Sequence, residues 1–83
     1  MDRSEIFTLL RDEAVPVLGV SADLVTEDAR FKEDLDADSL DLIELVMALE
    51  ERLDVTVPEE ELEDLATVGD AVSLLAGKLT VGA

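Results

Sequence analysis

The chain has 83 residues, 48% apolar and 34% charged, with 22 acids against 6 bases, a net charge of −16 and a pI near 4.1. A chain this short buries only about 60–70% of its unfolded surface, enough for one modest core and too little for a deep substrate pocket. The apolar share excludes a disordered tail, and the charge excludes nucleic acid and anionic membrane surfaces as partners, leaving proteins with basic patches.

Neither Cys nor His occurs. Disulfides, zinc sites, thiolate nucleophiles and His-based triads are therefore excluded, and any thioester chemistry would need a borrowed thiol. The only aromatics are Phe7 and Phe31, so the core must be built of Leu, Val, Ile and Ala, a composition that suits helices. No apolar run approaches membrane-spanning length, and Asp2, Arg3 and Glu5 crowd the N-terminus. No targeting segment or membrane insertion is expected, and a cytoplasmic location follows by default.

The spacing predicts a first helix over Ser4–Leu18, with Ser4 as N-cap and Ile6, Leu10, Ala14 and Val17 recurring at helical intervals. Pro16 predicts a kink or an early end, because it lacks a backbone donor and disfavours helical geometry at Val15. Gly19 reads as the stop. Residues 20–37 read as a long loop with a helical turn around Ala22–Val25. Loops of this length in compact domains are usually functional. Val20, Leu24, Val25, Phe31 and Leu35 are expected to pin it to the helices.

A second helix is predicted over Ser39–Leu53 with Asp38 as N-cap, and a short third one after Pro58, where Glu59–Glu61 suit a positive helix end. The fourth should start at Thr67, with Asp70 completing a capping box and Val68, Val72, Leu75 and Leu79 as its core stripe. Gly69 and Gly77 are expected to weaken it slightly. The whole reads as an all-α bundle of three main helices and one short one.

At roughly 100° per residue, the second helix has two apolar stripes. Leu42, Leu45, Val46, Leu49 and Leu53 form a core-facing one. Leu40, Ile43 and Met47 form another, flanked by Asp41, Glu44, Glu50 and Glu51. Either the helix is central and buried on most of its circumference, or the second stripe is an exposed apolar patch ringed by acids. The charges favour the patch: eight acids and no base lie between Glu33 and Glu51. Such charges would steer a basic partner while the apolar trio supplies contact area.

Ser39 sits in the run Asp34-Leu35-Asp36-Ala37-Asp38-Ser39-Leu40-Asp41. As a calcium-binding EF-hand starting at Asp34 this run fails, because the sixth position is Ser39 where Gly is needed and the twelfth is Leu45 where Glu is needed. Asp38-Ser39 fits a plain helix start. No base accompanies Ser39, so it is not a hydrolytic nucleophile. What remains open to its hydroxyl is to accept a group from another enzyme. A phosphate ester there would lie at the positive end of a helix.

The blocks Asp34-Leu35, Ala37-Asp38-Ser39-Leu40-Asp41 and Glu44-Leu45-Val46-Met47-Ala48-Leu49-Glu50-Glu51 resemble the signature of the acyl carrier proteins of bacterial type II fatty acid synthesis. Leu18-Gly19-Val20, Phe31, Val57-Pro58 and Thr67-Val68 extend the resemblance over essentially the whole chain, as a single carrier domain spanning residues 1–83. It implies 4′-phosphopantetheine esterified to Ser39 by a separate phosphopantetheinyl transferase, acyl groups carried as thioesters on its thiol, an interior that admits the acyl chain, and no catalysis by the carrier itself. It also implies docking to basic patches on acyl-handling enzymes through Asp38, Leu40, Asp41, Ile43, Glu44, Met47, Glu50 and Glu51. Asp36 stands where the family usually has Gly, and Asp is among the residues that tolerate left-handed geometry. Leu42 replaces a commonly smaller or polar residue, a change expected to alter the acyl pocket's lining. A carrier for polyketide synthesis or another dedicated acyl pathway is the nearest rival, and an acidic interaction protein without an arm is a more distant one. A monomer is expected, since no apolar surface beyond the small trio is visible.

Self-repulsion among so many acids opposes compaction. Added salt or divalent cations are therefore expected to raise the thermal unfolding midpoint. Melting scans across ionic strength test this, and a midpoint that stays flat or falls contradicts it.

Overall fold

A computed structural model describes residues 2–81, with side-chain burial assigned through residue 79. Four helices follow in order: α1 (Arg3–Leu18), α2 (Ser39–Leu53), α3 (Glu59–Leu62) and α4 (Val68–Val81). A 3-10 turn at Ala22–Leu24 interrupts the long loop between α1 and α2, as the sequence predicts.

The start of α1 lies earlier than the sequence reading placed it. Asp2, not Ser4, is the N-cap: its carboxylate accepts the Glu5 N–H at 2.9 Å, and the Glu5 carboxylate faces the Asp2 N–H at 3.5 Å. An acid three residues after an acid builds the same reciprocal box as Ser with Glu. Ser4 is already helical, and its carbonyl accepts the Thr8 hydroxyl at 3.0 Å.

Pro16 does not end α1, which runs two residues further to Leu18. The bond it cannot make would have gone to the Asp12 carbonyl. Both residues are exposed, so water can satisfy that carbonyl and the helix continues. Gly19 then closes it at φ 68°, with its N–H on the Val15 carbonyl at 3.0 Å. Only a residue without Cβ takes that left-handed geometry without strain.

The core gathers Ile6, Leu10 and Ala14 from α1, Leu42, Leu45, Val46 and Leu49 from α2, and Val68, Val72 and Leu75 from α4. Leu79, the last of the predicted α4 stripe, is half-buried against this core, as is Leu53 at the end of α2. Packing of α1 against both α2 and α4 makes it the shared wall of the bundle. An ion pair between Arg52 and Glu13 at 2.8 Å joins α2 to α1.

Of the five loop residues expected to pin the long connection, Val25, Phe31 and Leu35 are buried and Val20 packs partly against the core. Leu24 does not: it is 53% exposed, turned outward by the 3-10 turn. Backbone pairing supplies the remaining anchorage. Phe31 N–H donates to the Ala66 carbonyl at 3.1 Å, Val68 N–H to Ala29 at 2.9 Å and Gly69 N–H to Glu27 at 2.9 Å. A Cβ on Gly69 would stand 3.0 Å from the Glu27 carbonyl oxygen. That close approach explains a glycine that local propensity alone disfavours.

The first helical residue of α4 is Val68, with Thr67 as its cap. Thr67 Oγ1 accepts the Asp70 N–H at 3.1 Å, and Asp70 Oδ2 accepts the N–H groups of Thr67 and Ala66, each at 3.1 Å. Those backbone donors, Thr67 first, hold the Asp70 carboxyl below its ordinary value of 3.8. A carboxyl with a folded-state value below its unfolded one stabilises the fold fully above the unfolded value, and loses that contribution as pH falls through the folded one. Asp70→Ala is thus expected to lower the unfolding midpoint by a few degrees at pH 7. Its deficit against the parent should shrink as pH drops below about 3.8, which paired thermal scans from pH 7 to pH 2 would measure. A constant deficit would show that the carboxylate's charge plays no part.

Candidate functional site

Everything that places Ser39 is local to the end of the long loop. Ala37 is buried, and its N–H donates to the Phe31 carbonyl at 2.8 Å. Asp36 takes left-handed geometry at φ 54°, the accommodation expected of Asp at a Gly position, and this turn delivers Asp38 to the head of α2. Asp38 is the N-cap there, as predicted. Its Oδ1 accepts the Asp41 N–H at 2.9 Å, and Asp41 Oδ2 accepts the Asp38 N–H at 3.2 Å.

That box has a chemical consequence. Because two carboxylates cap the helix, the Ser39 hydroxyl is not needed for capping. Ser39 is the first residue of α2, is exposed, and among the described residues its hydroxyl has no hydrogen-bond partner. It stands free at a helix end whose backbone donors and dipole favour negative charge.

Beside it lies a hollow of about 350 Å³ lined by Lys32, Ser39, Leu42, Ile43, Glu59, Leu62, Glu63 and Leu65. Its floor is apolar, from Leu42 and Ile43 of α2 and from Leu62 and Leu65 on or just after α3. Its rim is charged. A second hollow, more open, is lined by Lys32, Asp36, Ala37, Asp38 and Ser39. Lys78 of α4 holds α3 in place, donating to Glu61 Oε1 at 3.1 Å and lying 2.9 Å from Oε2, an attraction without a well-directed second hydrogen bond.

The eight residues singled out on and before α2 fall into three groups. Leu40 and Met47 are 71% and 59% exposed, and Glu44 and Glu51 are exposed with them. Asp38, Asp41 and Glu50 each hold backbone: Glu50 Oε2 accepts the Val57 N–H at 3.0 Å, fastening the chain that leads to α3. Ile43 corrects the reading of an exposed apolar trio. It is half-buried in the hollow's wall, because α3 folds over that side of α2.

Leu62, Leu65 and Lys32 were not singled out from the sequence. Leu62 and Leu65 stand three apart after Pro58, a helical spacing that marks them as one face. Nothing local marked Lys32, which lines the same hollows as Ser39 only because the loop folds back. Among the described residues no group of three or more His, Cys, Asp or Glu is arranged to hold a metal ion, and no helix is long and apolar enough to cross a membrane.

A small helical bundle offering an uncommitted serine hydroxyl at a helix N-terminus, beside an apolar hollow, has the form of a prosthetic-arm carrier. The family model described as phosphopantetheine attachment site matches residues 8–75. A curated acyl carrier protein from Sulfurovum sp. (strain NBC37-1) is 50% identical over 70 residues, covering 84% of this chain and 93% of that one. The crystal structure of the acyl carrier protein of Thermotoga maritima superposes with a TM-score of 0.87 at 29% identity, covering 100% of this chain and 96% of that one. An acyl carrier protein from Enterococcus faecalis superposes with a TM-score of 0.76 at 31% identity, covering 94% and 99%. The chain therefore belongs to the phosphopantetheine attachment family. Within that family it is an acyl carrier protein homologue, with covalently attached 4′-phosphopantetheine as its prosthetic group.

The capping geometry separates the two residues at the head of α2. Asp38→Ala is expected to cost about 1 kcal/mol, the usual value for a lost N-cap. Ser39→Ala should stay within about 0.5 kcal/mol of the parent, as for an exposed side chain without partners. Urea titrations of both variants measure this, and a larger loss for Ser39→Ala would mean that its hydroxyl caps the helix after all.

Proposed function

We propose that Ser39 is the residue that bears the phosphopantetheine arm, attached by a separate transferase, and that the chain delivers acyl groups between enzymes of bacterial fatty acid synthesis. The observation that supports this most directly is the free Ser39 hydroxyl at the start of a 15-residue helix. The arm supplies a terminal thiol, on which acyl groups are held as thioesters, in a chain that has no Cys.

Each neighbour has a task in this reading. Asp38 and Asp41 rigidify the turn that presents Ser39. The helix end favours the anionic ester through its backbone donors. Leu42, Ile43, Leu62 and Leu65 offer an apolar wall to the acyl group and keep water from it. The chain contributes no acid, base or nucleophile to the chemistry of its partners, and works as one carrier domain and as a monomer in the cytoplasm.

The docking surface in this reading is the outer side of α2: Asp38, Leu40, Asp41, Ile43, Glu44, Met47, Glu50 and Glu51. Leu40 and Met47 supply apolar contact, and the carboxylates steer basic patches on the transferase and the acyl-handling enzymes. Charge-steered contacts of this kind form and dissociate quickly, which suits a carrier that must leave each enzyme in turn. Glu50 takes part through the oxygen not engaged by Val57.

Incubation with coenzyme A and a phosphopantetheinyl transferase is expected to raise the intact mass by one arm, with the gain abolished by Ser39→Ala. Mass spectrometry reads both. A parent that gains nothing with a competent transferase, or a Ser39→Ala variant that still gains the arm, would overturn the assignment.

A further inference from the structure

The six bases are paired unevenly. Arg3 meets Glu27, Arg30 meets Glu33 and Asp34, Arg52 meets Glu13, and Lys78 meets Glu61. The Arg11 guanidinium lies over the Phe7 ring, 5.6 Å from its centre. Among the described residues, Lys32 alone has neither an ion pair, a hydrogen bond nor a ring partner.

Lys32 follows Phe31, which is buried, and whose N–H and carbonyl are fixed to Ala66 at 3.1 Å and to Ala37 at 2.8 Å. From this anchored backbone it lines both hollows that border Ser39. The nearby Asp38 carboxylate is engaged by the Asp41 N–H.

An arm on Ser39 would bring a phosphodiester anion among Asp36, Asp38 and Asp41. Part of the opposing positive field comes from the end of α2, but the Asp41 N–H, one of its free donors, already serves Asp38. We propose that Lys32 is the counter-ion of the phosphodiester on Ser39, pairing its ammonium with a non-bridging phosphate oxygen and setting the side of Ser39 toward which the arm leaves. Lys32 is thus a positioning residue: it carries no acyl group and no reacting atom, and it makes the charge-assisted contact that the surrounding acids cannot. This inference rests on the assignment of the arm to Ser39.

The test compares four arm-bearing proteins: the parent, Lys32→Gln, Lys32→Arg and, as a control that removes the same charge elsewhere, Arg11→Gln. Intact mass first establishes the arm on each. Phosphorus NMR at low ionic strength then reads the diester directly. The Lys32→Gln resonance is expected to be displaced from the parent's, with Lys32→Arg close to the parent because its charge and donors remain. Arg11→Gln should leave the resonance in place. Rising salt should move the parent toward Lys32→Gln as the ion pair is screened. Coincident parent and Lys32→Gln resonances at low salt would overturn the inference, and this is what a Lys32–Asp36 pair would produce. An equal displacement in Arg11→Gln would also overturn it, by showing a general field in place of a contact. If the parent never gains the arm, the Ser39 assignment fails and the inference falls with it. If the arm is present and the resonances coincide, only the inference fails.

Discussion

Two backbone hydrogen bonds, from Phe31 to Ala66 and from Val68 to Ala29, close the long loop onto the head of α4, and the position of Ser39 depends on that closure. A loop whose backbone reaches the core must satisfy its polar groups there. This one does so by pairing with the other loop that crosses the same end of the bundle. Phe31, buried between these bonds, supplies the apolar anchor. From it the chain runs through Leu35 and Ala37, both buried, to the cap of α2, so the head of that helix is tied to the core at three points before it begins.

The acids that dominate the chain's charge also build its helices. All three long helices start with capping boxes completed by an acid: Glu5 for α1, Asp41 for α2 and Asp70 for α4. Each carboxylate stands where the helix end is positive, and each satisfies backbone donors that would otherwise be orphaned. At α2 this leaves a serine hydroxyl uncommitted. Serine and threonine caps use their hydroxyls on the backbone, as Thr67 does at α4. With Asp38 in that role, the hydroxyl of the next residue makes no such bond.

Charge also sets the limits of the site. The bases are few, and half of them join elements: Arg3 spans α1, the long loop and α4 through Glu27, Ser73 and Gly69, and Arg52 and Lys78 tie α2 to α1 and α3 to α4. The outer side of α2 is left to carboxylates and to the exposed Leu40 and Met47. Lys32 is the exception at its head.

The sequence by itself determined the four helices, the stop at Gly19, the cap at Asp38 and the candidate serine, because these follow from short-range rules: periodicity, capping chemistry and the choice of residues at turns. It placed the α1 cap at Ser4 because Ser is a favoured cap type, whereas the reciprocal bonding of Asp2 and Glu5 settles the matter in the structure. It allowed Pro16 to end α1 early, and the helix runs on to Leu18, since the cost of proline in a helix depends on whether the orphaned carbonyl meets water, and exposure is a tertiary property. The half-burial of Ile43, the outward turn of Leu24, the need for Gly69 and the nearness of Lys32 to Ser39 were likewise decided only by the tertiary structure. Each depends on which segment, distant in the chain, lies against the residue, and that is fixed by the joint packing of loops and helices around one core, not by the residue's own neighbours in sequence.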